Sequence, residues 1–422
     1  MFIIYDAIFL IFAISYLPIF IFRKKYHSGF ITRFGILPKT LNLNRPIWIH
    51  AVSVGEAITI KGLVENLRKI YPNKKFVIST VTATGNKIAQ TIAKNDDLVT
   101  YLPLDLSLIV KKTIDRINPA LFIIAETEIW PNLISYLSRR SIPVVIVNAR
   151  ISDRSFGRYL AIKPLLKPIL NKISLFCAQS ERDAQRLIRM GLAENKVKIT
   201  GNMKFDTTDY TDKKSTDYTD LKIALWLIPD GKLLVAGSTH PGEEEVILNA
   251  YKKLLVEFPK LRLLIAPRHP ERALDVADIA TKFGFRTTFI SRLPDKCETC
   301  VMPPVFILDV IGKLMDFYAL ADIVFVGGSL IKKGGHNILE PAALAKPIIF
   351  GPQMFNFKDI ADLFLENKAC ILVHDEEEMV HTILGLLNNP AEMDNLGMRA
   401  QKLISENQGA TQRNLNLIKA YG

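Results

Sequence analysis

The segment Ile47-Trp48-Ile49-His50-Ala51-Val52-Ser53-Val54-Gly55-Glu56 changes from the pattern of a strand to that of a helix. Its first six residues are mostly apolar, which is typical of a short strand buried on both faces of a sheet. An amphipathic run then begins at Glu56 and continues to Ile70. A buried strand followed directly by a helix is the repeating unit of a parallel sheet. This stretch therefore predicts an α/β fold.

The same alternation of short β-branched runs and amphipathic runs recurs along the whole chain. In the first half the further strand candidates are Phe76–Thr80, Ala120–Ala125, Val144–Asn148, Ser174–Ala178 and Val197–Thr200. In the second half they are Leu233–Gly237, Arg262–Ala266, Arg286–Ile290, Val305–Leu308, Ile323–Val326 and Pro347–Phe350. We therefore predict two doubly wound parallel-sheet domains that face each other across a cleft. Ligands of such domains bind at the carboxyl ends of the strands.

A polar stretch separates the two series of strands. It contains Thr-Asp-Tyr-Thr-Asp twice, at residues 208–212 and 216–220, and has few apolar residues to bury. This composition is typical of a linker. We expect residues 23–205 to form an N-terminal domain, 206–220 a linker and 221–422 a C-terminal domain. A chain of 422 residues is long enough for two such cores.

The N-terminus is apolar, and from Phe2 to Phe22 the only charged residue is Asp6. About 20 apolar residues in a helix span the hydrocarbon core of a bilayer. Arg23-Lys24-Lys25 follow the run, with no basic residues before it and no small-residue cleavage site after it. We expect residues 1–22 to be an uncleaved membrane anchor, with the domains on the cytoplasmic face. A helix lying partly in the interface is the alternative, since Asp6 and Pro18 interrupt the run.

The formal net charge of +12 indicates an anionic partner. Nucleic acid, anionic lipid and phosphorylated substrates all fit, but the chain contains no recognisable nucleic-acid-binding module. The four cysteines, Cys177, Cys297, Cys300 and Cys370, are scattered as in reduced cytosolic proteins. Cys297 and Cys300 have metal or redox spacing, but no second cysteine pair or histidine cluster completes a zinc site. We expect no cofactor at this pair.

In the first half, acidic residues follow two of the predicted strands. Glu56 lies in the first turn of its helix, where a carboxylate also simply stabilises the helix N-terminus. Glu126 and Glu128 come directly after another strand, where carboxylates suit proton transfer or hydroxyl binding. The turn Ser79–Gly85 is either an anion site or an ordinary helix cap.

In the second half, glycine-rich and basic turns follow the strands. Arg268 and His269 supply phosphate donors after one strand. Another strand leads into Gly327–Asn337 and then Glu340, a pattern that suits backbone amides for phosphate and a carboxylate for ribose hydroxyls. No Asp-x-Asp or paired-histidine motif indicates a metal. A phosphate leaving group is therefore expected to depend on Arg, Lys and helix N-termini.

Taken together, the chain resembles the 3-deoxy-D-manno-octulosonic acid (Kdo) transferases of Gram-negative lipopolysaccharide synthesis. The segments that carry the resemblance are WIHAVSVGE, STVTATG, AETEIWPNLI, VNARISDRS, TGNMKFD, GSTHPGEEE, APRHPER and VGGSLIKKGGHNILEPAALAKPIIFGPQMFNF. They follow the order of the family from about residue 30 to about residue 365.

The resemblance implies a metal-independent, inverting glycosyltransferase of the GT-B fold without a cofactor. The implied donor is CMP-Kdo, bound to the C-terminal domain, and the implied acceptor is the lipid A precursor lipid IVA. The catalytic base of the family falls on Glu56, and groups that stabilise its transition state fall on Glu126 and Lys204. The CMP contacts of the family fall on Arg268, His269, Ile311, Gly312, Lys313, Asn337, Ile338, Leu339 and Glu340. Donor, acceptor and an anionic membrane surface all fit the net charge of +12.

One turn departs from the pattern of the family. Many relatives have Met-Gly-Glu where this chain has Ile311-Gly312-Lys313, a change of little consequence if the turn binds through its backbone. Two other functions remain open from the residues alone. A nucleotide-sugar epimerase uses the same two-domain fold but needs no N-terminal anchor. A membrane-tethered anion-binding protein without catalysis tolerates loss of the Glu56 carboxylate.

Overall fold

The chain divides into two compact units, each with its own core. A computed structural model describes residues 4–11, 15, 29–38, 42–207, 216–225, 227, 230–293 and 305–422. Their contacts assign Met1–Thr207 with Asn407–Gly422 to unit 1, and Thr208–Glu406 to unit 2. The Cys297–Cys300 pair lies outside the described residues. Cys177 and Cys370 are buried free thiols, and burial raises the pKa of each to about 12.

Unit 1 contains a parallel sheet of seven strands within the described residues, in the order β3-β2-β1-β4-β5-β6-β7. Its strands are β1 (Ile47–His50), β2 (Phe76–Thr80), β3 (Leu98–Tyr101), β4 (Leu121–Ala125), β5 (Val144–Ala149), β6 (Leu175–Ala178) and β7 (Val197–Ile199). Its helices are residues 4–11, Val54–Ile70, Ala83–Ile92, Ser107–Ile117, Pro131–Arg139, Asp153–Ala161, Lys163–Leu170, Glu181–Arg189 and Ala410–Ile418. Short 3-10 helices are Phe30–Phe34, Glu194–Lys196 and Met203–Thr207.

The core of unit 1 lies on both faces of this sheet. Side chains alternate along a strand, so Trp48 packs into one cluster and Ile47 and Ile49 into the other. The Trp48 ring meets Phe122 of the neighbouring strand edge-on, with ring centroids 4.7 Å apart. Helices cover both faces, and this explains why the central strands are continuous apolar runs in the sequence.

Unit 2 contains a second parallel sheet, again of seven strands within the described residues, in the order β10-β11-β9-β8-β12-β13-β14. Its strands are β8 (Lys232–Thr239), β9 (Leu261–Pro267), β10 (Thr287–Phe289), β11 (Val305–Ile307), β12 (Ile323–Val326), β13 (Ile348–Phe350) and β14 (Ile371–Leu372). Its helices are Thr219–Ala224, Glu243–Glu257, Ala273–Lys282, Leu314–Leu320, Leu339–Ala343, Lys358–Glu366, Glu376–Asn388 and Pro390–Asn407. Short 3-10 helices are Pro270–Arg272 and Ile290–Arg292.

Two strands escaped the sequence-based prediction, namely β3 and β14. β3 is four residues long and half exposed over its first two, and β14 has only two residues. Both lie at the edge of their sheet, where burial on both faces no longer selects a continuous apolar run. The expectation of two doubly wound parallel-sheet domains is otherwise confirmed.

The domain boundaries differ from the expected ones at two places. We expected 221–422 to be one domain, but Asn407–Gly422 packs with unit 1. Ala410, Leu415 and Ile418 join the cluster that also contains Ile60. The apolar stripe of a helix does not reveal which core it will join, so the sequence pattern left this open. In the expected linker, the 3-10 helix Met203–Thr207 and the helix Thr219–Ala224 extend into residues 206–220.

The expected membrane anchor, residues 1–22, is described only at residues 4–11, which are helical, and at residue 15. Across the described parts of the chain, no helix is both long enough and apolar enough to cross a membrane.

Candidate active site

The centre of the first sheet is a topological switch point. β1 pairs with β2 on one side and with β4 on the other, so the chain proceeds outward from β1 in both directions. A crevice forms at the carboxyl ends of such a strand pair, because the connections leave to opposite faces. Glu56 follows β1 and Glu126 follows β4 directly. The two carboxylates therefore reach the same edge of the sheet.

Glu56 is held at the start of its helix by the chain that precedes it. Its Oε2 accepts a hydrogen bond from the Val52 amide at 2.6 Å, and its Oε1 accepts one from the Ser53 hydroxyl at 3.1 Å. Ser53 is the N-cap residue, although its side chain makes no cap hydrogen bond, and Glu56 lies in the first turn of the helix, where the helix dipole favours a carboxylate. The helix-stabilising interpretation of Glu56 is therefore correct, but it is incomplete.

The surroundings of Glu56 also change its acidity. Burial raises its pKa to about 7, and the negative charges of Glu126 and Glu128 act in the same direction. The hydrogen bonds from Val52 and Ser53 oppose the shift. A carboxylate that exchanges its proton near neutral pH is well suited to general base catalysis.

Glu126 adopts a strained backbone conformation at the end of β4. Its φ is +60°, a region that residues other than glycine rarely occupy. Its amide donates to the Val147 carbonyl at 2.9 Å, which holds the chain against β5. Such strain persists where the surrounding structure enforces it, and it is concentrated at functional sites. The side chain of this strained residue is paired with Lys204.

Lys204 forms an ion pair with Glu126, with 3.0 Å between Nζ and Oε1. The lysine lies on the 3-10 helix Met203–Thr207, which follows β7. The Met203 amide donates to the Asn148 Oδ1 at 2.9 Å, and this bond fixes the 3-10 helix against the end of β5. The segments that follow β1, β4 and β7 thus bring Glu56, Glu126 and Lys204 to one site.

The C-terminal helix braces the segment that carries Lys204. The Asp206 carboxylate accepts hydrogen bonds from the amides of Gly409, at 2.6 Å, and Thr411 at the start of the helix Ala410–Ile418. The Arg413 Nε donates to the Thr200 carbonyl at 2.7 Å. The chain thus leaves unit 1 and returns to it at two points that are bonded to each other. Nothing in the local sequence indicated this contact.

Two other residues of the quoted motifs have structural positions. His50 is buried, its Nδ1 lies 3.0 Å from the Ser79 hydroxyl oxygen, and burial lowers its pKa to about 3. It is therefore a neutral part of the sheet. In the turn Ser79–Gly85 the Thr82 hydroxyl accepts from the Gly85 amide at 3.0 Å, which is an ordinary helix cap.

In unit 2, one buried carboxylate organises the glycine-rich turn after β12. Glu243 accepts from the amides of Ser329 and Leu330 at its Oε1, both at 3.0 Å. Its Oε2 accepts from Gly328 at 2.6 Å and from His240 at 3.0 Å. The side chain is fully buried, and burial raises its pKa against the effect of these four donors. β8 and β12 are the neighbouring strands at the switch point of this sheet. Glu243 thereby joins the turns that follow them.

Two histidines meet edge to edge at this junction. The rings of His240 and His336 are nearly parallel at 5.2 Å, and their Nε2 atoms are 2.9 Å apart. Burial is the first cause that lowers the pKa of both, to about 4 for His336, and the positive charges of Lys333 and Arg268 contribute. The pair is therefore neutral near pH 7, with one ring donating to the other. We did not select either histidine from the sequence.

The predicted nucleotide-binding residues differ in exposure, and Asn337 and Glu340 are partly exposed. Arg268 and His269 are exposed after β9. Glu340 accepts from the Asn337 Nδ2 at 3.1 Å, burial raises its pKa, and the charge of Arg268 opposes this. Ile338 and Leu339 are buried, so only their backbone is available to a ligand. The Leu339 amide already donates to the Asn337 Oδ1 at 3.1 Å.

The turn Ile311-Gly312-Lys313 lies on the surface of unit 2. The Ile311 side chain is exposed, Gly312 has a φ of +86°, and the Lys313 Nζ is 3.9 Å from Asp316. The positive φ explains why glycine occupies the middle position. Among the residues that the structure describes, no group of three or more His, Cys, Asp or Glu side chains has the arrangement of a metal site.

Comparison with known proteins identifies the family. A family model described as 3-deoxy-D-manno-octulosonic-acid transferase (kdotransferase) matches residues 28–207. The 3-deoxy-D-manno-octulosonic acid transferase of Haemophilus influenzae is 39% identical over 378 residues, which cover 89% of this chain and 87% of that protein. The chain belongs to the Kdo transferase family. A second Kdo transferase, from Chlamydophila psittaci, is 31% identical over 99% of this chain and 96% of its own.

The Kdo transferase assignment makes the chain a glycosyltransferase. Among solved structures, UDP-GlcNAc 2-epimerase from Neisseria meningitidis superposes with a TM-score of 0.56 at 14% identity, over 86% of this chain and 99% of that one. At this identity the likeness shows a shared fold only. The two-domain parallel-sheet architecture is therefore common to both enzymes, whereas the sequence relatives support transfer of Kdo.

Proposed function

We propose that this Kdo transferase moves Kdo from CMP-Kdo to lipid IVA, with Glu56 as the general base and inversion at the anomeric carbon. The observation that carries the proposal is the Glu56 carboxyl group, whose pKa of about 7 places its proton exchange near neutral pH. It lies beside the Glu126–Lys204 ion pair in a chain of this family. Unit 1 would receive the acceptor, and unit 2 would bind the donor.

The proposed reaction is a single displacement. Ionised Glu56 takes the proton from an acceptor hydroxyl while that oxygen forms a bond to the anomeric carbon of Kdo. The bond between this carbon and the CMP phosphate oxygen breaks at the same time, and its electron pair leaves with CMP. Attack from the face opposite the leaving group inverts the configuration. Lys204, positioned by Glu126, is a suitable cation to stabilise charge that develops near the attacking oxygen.

The departing CMP phosphate needs positive charge nearby to stabilise it. In this proposal side chains of unit 2 supply that charge without a metal. Arg268 and His269 are exposed beside the neutral His240–His336 pair. Arg268 can present a planar pair of donors to a phosphate. The exposed turn at Ile311–Lys313 and the Asn337–Glu340 turn are proposed to contact the nucleotide, with Glu340 as the acceptor for ribose hydroxyls.

We place the enzyme on the cytoplasmic face of the inner membrane, attached through its N-terminal segment. Lipid IVA carries two phosphates on acyl chains, so a membrane-attached enzyme meets its acceptor at the bilayer surface. The net charge of +12 attracts the protein to anionic headgroups and to both anionic substrates. Nucleic acid is not among the proposed partners.

One assay tests the function directly. The purified full chain is incubated with CMP-Kdo and with lipid IVA dispersed in detergent. The molecular masses of the lipid products are measured by mass spectrometry, and the release of CMP is followed in parallel. We expect lipid IVA to gain whole Kdo residues, with equimolar CMP. CMP-Kdo that binds without any product would identify an anion-binding protein instead. Conversion of UDP-GlcNAc to its 2-epimer by the same preparation would identify an epimerase.

Replacing Glu126 by Gln is expected to move the pH dependence of kcat/KM toward lower pH. The Glu126 charge raises the pKa of Glu56, so its removal lets the base ionise at lower pH. Loss of the ion pair also leaves the positive charge of Lys204 to favour ionised Glu56, which acts in the same direction. The midpoint of the rising limb should therefore lie below that of the unsubstituted enzyme, which is expected near pH 7. The limb is followed in Kdo transfer assays from pH 5 to 9.

Glu128→Gln is the matched comparison for this experiment. The Glu128 charge is a smaller cause of the raised pKa of Glu56 than the Glu126 charge, so the limb should move in the same direction but by less. An unchanged or higher midpoint in Glu126→Gln would contradict electrostatic coupling between the two carboxylates.

A further inference from the structure

The contact between His240 and His336 leaves room for one additional proton. Their Nε2 atoms are 2.9 Å apart, so a single hydrogen joins the two rings. A neutral imidazole has one N–H and one bare nitrogen. The ring that donates through Nε2 therefore has a bare Nδ1, and a proton added there leaves the contact intact. A second added proton would set two N–H groups against each other. Both rings are partly exposed, so a proton from solvent can reach them.

The glycine-rich turn after β12 keeps the two rings together. A Cβ atom on Gly328 would lie 3.0 Å from the His336 Cδ2 and 3.4 Å from the His240 Cδ2, so both rings lie where a side chain would project. The Gly335 amide donates to the Gly328 carbonyl at 2.8 Å, which fixes the segment that leads into His336. The His240 amide donates to Glu243 at 3.0 Å. The pair is therefore a fixed part of the fold.

The pair is surrounded by basic side chains of two turns, namely Arg268, His269, Arg272 and Lys333. The rings of His240 and His269 are 6.2 Å apart. Burial is the first cause that lowers the pKa of His240, and the charges of all four side chains lower it further. Burial and the charge of Arg268 act in the same way on His336. This positive field keeps the additional proton off the pair near pH 7.

Carboxylates of the same unit do not neutralise this field. Glu244 forms an ion pair with Arg272, with 2.8 Å between Oε1 and Nη1. Glu340 is a hydrogen-bond acceptor for a neighbouring amide side chain. Within the part of the chain that the structure describes, neither Arg268 nor Lys333 has a carboxylate at ion-pair distance. Two positive charges beside the histidine pair are thus available to an anionic ligand.

An anion that binds these two cations reverses the field at the histidines. A negative charge within about 4 to 6 Å of a titratable group favours its positively charged form. The pair then gains its proton at a pH at which it was neutral before the anion bound. Histidine is the side chain best suited to such a change near neutral pH.

The nucleotide phosphate changes its own charge during the proposed reaction. In CMP-Kdo it is a diester with one negative charge. The bond from the anomeric carbon to the phosphate oxygen breaks with its electron pair on that oxygen, and released CMP is a monoester whose second pKa is about 6. The phosphate therefore carries a second negative charge as it departs. A cationic pair beside it stabilises this charge without passing a proton to it.

We propose that the His240–His336 pair takes up one proton from solvent when the nucleotide phosphate binds beside Arg268 and Lys333, and that the resulting positive charge stabilises the phosphate as it departs. The inference rests on the proposed function and deepens it, because it assigns a proton-linked step to donor binding. The two histidines thereby become phosphate-binding residues that act as a unit.

Calorimetric titration of the full chain with CMP tests the proton uptake. The titration is carried out at about pH 7 in two buffers that differ in ionisation enthalpy, and the difference in heat gives the number of protons taken up. We expect net uptake by the unsubstituted chain. The affinity for CMP should also fall by about threefold or more between pH 6.5 and pH 8, since uptake makes binding depend on the proton concentration. Binding of CMP without proton uptake would overturn the proposal.

His336→Gln and His240→Gln remove the pair but keep a side chain that can form hydrogen bonds. Each should bind CMP more weakly, without proton uptake and with little dependence on pH. His269→Gln should also bind more weakly but should retain the uptake. His381→Gln, on the exposed side of the helix Glu376–Asn388, is the control and should behave as the unsubstituted chain. Uptake that persists in both pair variants would contradict the assignment.

Histidine ¹⁵N chemical shifts give a second measurement that does not depend on the folding of the pair variants. In the His269→Gln chain, CMP should move the ¹⁵N signals of one further histidine toward those of an imidazolium. Shifts that stay unchanged at saturating CMP would overturn the proposal.

The outcome is distinguishable from that of the proposed function. A chain that transfers Kdo but binds CMP without proton uptake contradicts the role of the pair alone. A chain that takes up the proton with CMP but yields no Kdo product supports the role of the pair and contradicts the proposed transfer.

Discussion

Glu56→Gln is expected to lower the rate of Kdo transfer by about 10³-fold or more, because a positioned general base contributes about 10² to 10⁴ and the amide cannot take a proton. The fold should survive the change. A glutamine can accept from the Val52 amide through its oxygen and donate to the Ser53 hydroxyl through its nitrogen, so both contacts of Glu56 have a replacement. Steady-state transfer of Kdo from CMP-Kdo to lipid IVA measures the loss.

The pH dependence supplies a second readout of the same base. With the pKa of Glu56 at about 7, the unsubstituted enzyme should gain activity as the pH rises through that value. The residual activity of Glu56→Gln should lack this limb.

Stability should change in the opposite sense to activity. The folded-state pKa of Glu56 lies above its usual value, so the folded state binds the proton more tightly than the unfolded state. Protonated Glu56 therefore contributes to the free energy of unfolding at low pH, and this contribution is lost as the pH rises through about 7. Glu56→Gln lacks this reduction, and its midpoint temperature of unfolding above pH 7 should equal or exceed that of the unsubstituted chain.

Glu65→Gln is the matched control for this experiment. Glu65 lies on the same helix, Val54–Ile70, but is exposed. The control should keep both the rate and the pH limb. Near-normal turnover in Glu56→Gln would remove Glu56 from the role of base, whatever the stability result.

Glu243→Ala is expected to reduce the free energy of unfolding of unit 2 by about 3 kcal/mol or more and to abolish CMP binding. The change leaves four amides without their acceptor, those of His240, Gly328, Ser329 and Leu330. The turns after β8 and β12 would lose the contact that joins them. Denaturant unfolding and calorimetric titration with CMP measure the two effects.

Glu243→Gln should also be strongly destabilising, although it is close to Glu in shape. Each Glu243 oxygen accepts from two amides, so an NH₂ group in either place faces two donors and accepts from neither. Glu257→Gln, at the exposed end of the same helix, is the control and should change stability by less than about 0.5 kcal/mol. A Glu243→Gln protein with normal stability and CMP binding would contradict the organising role of this carboxylate.

Much of the fold follows from local pattern. Strands covered by helices on both faces must be apolar throughout, so β1, β2, β4 and β12 stand out as runs in the chain. Edge strands escape this constraint, and β3 and β14 were missed for that reason. The C-terminal helix was assigned to the wrong domain, because an amphipathic stripe indicates that one face of a helix is buried but not which domain buries it.

The candidate site shows the same division. Glu56 and Glu126 can be found from the rule that polar residues at strand ends line the mouth of a parallel sheet. Lys204 was found only through the resemblance, since its segment has no distinctive local pattern. The His240–His336 pair joins positions 96 residues apart and could not be recognised before the turns were brought together.

The sequence by itself determined the α/β class, the two series of strands and the carboxylates at their ends, because each depends on neighbours within a few residues of the chain. The tertiary structure decided which of those carboxylates interact, how far burial shifts their acidity, and which residues Asp6 contacts. These are properties of groups distant in sequence whose energies depend on close approach and on exclusion of water. Asp6 illustrates the difference: in the sequence it only interrupts an apolar run, and in the fold it accepts hydrogen bonds from Ser107 and Asn132.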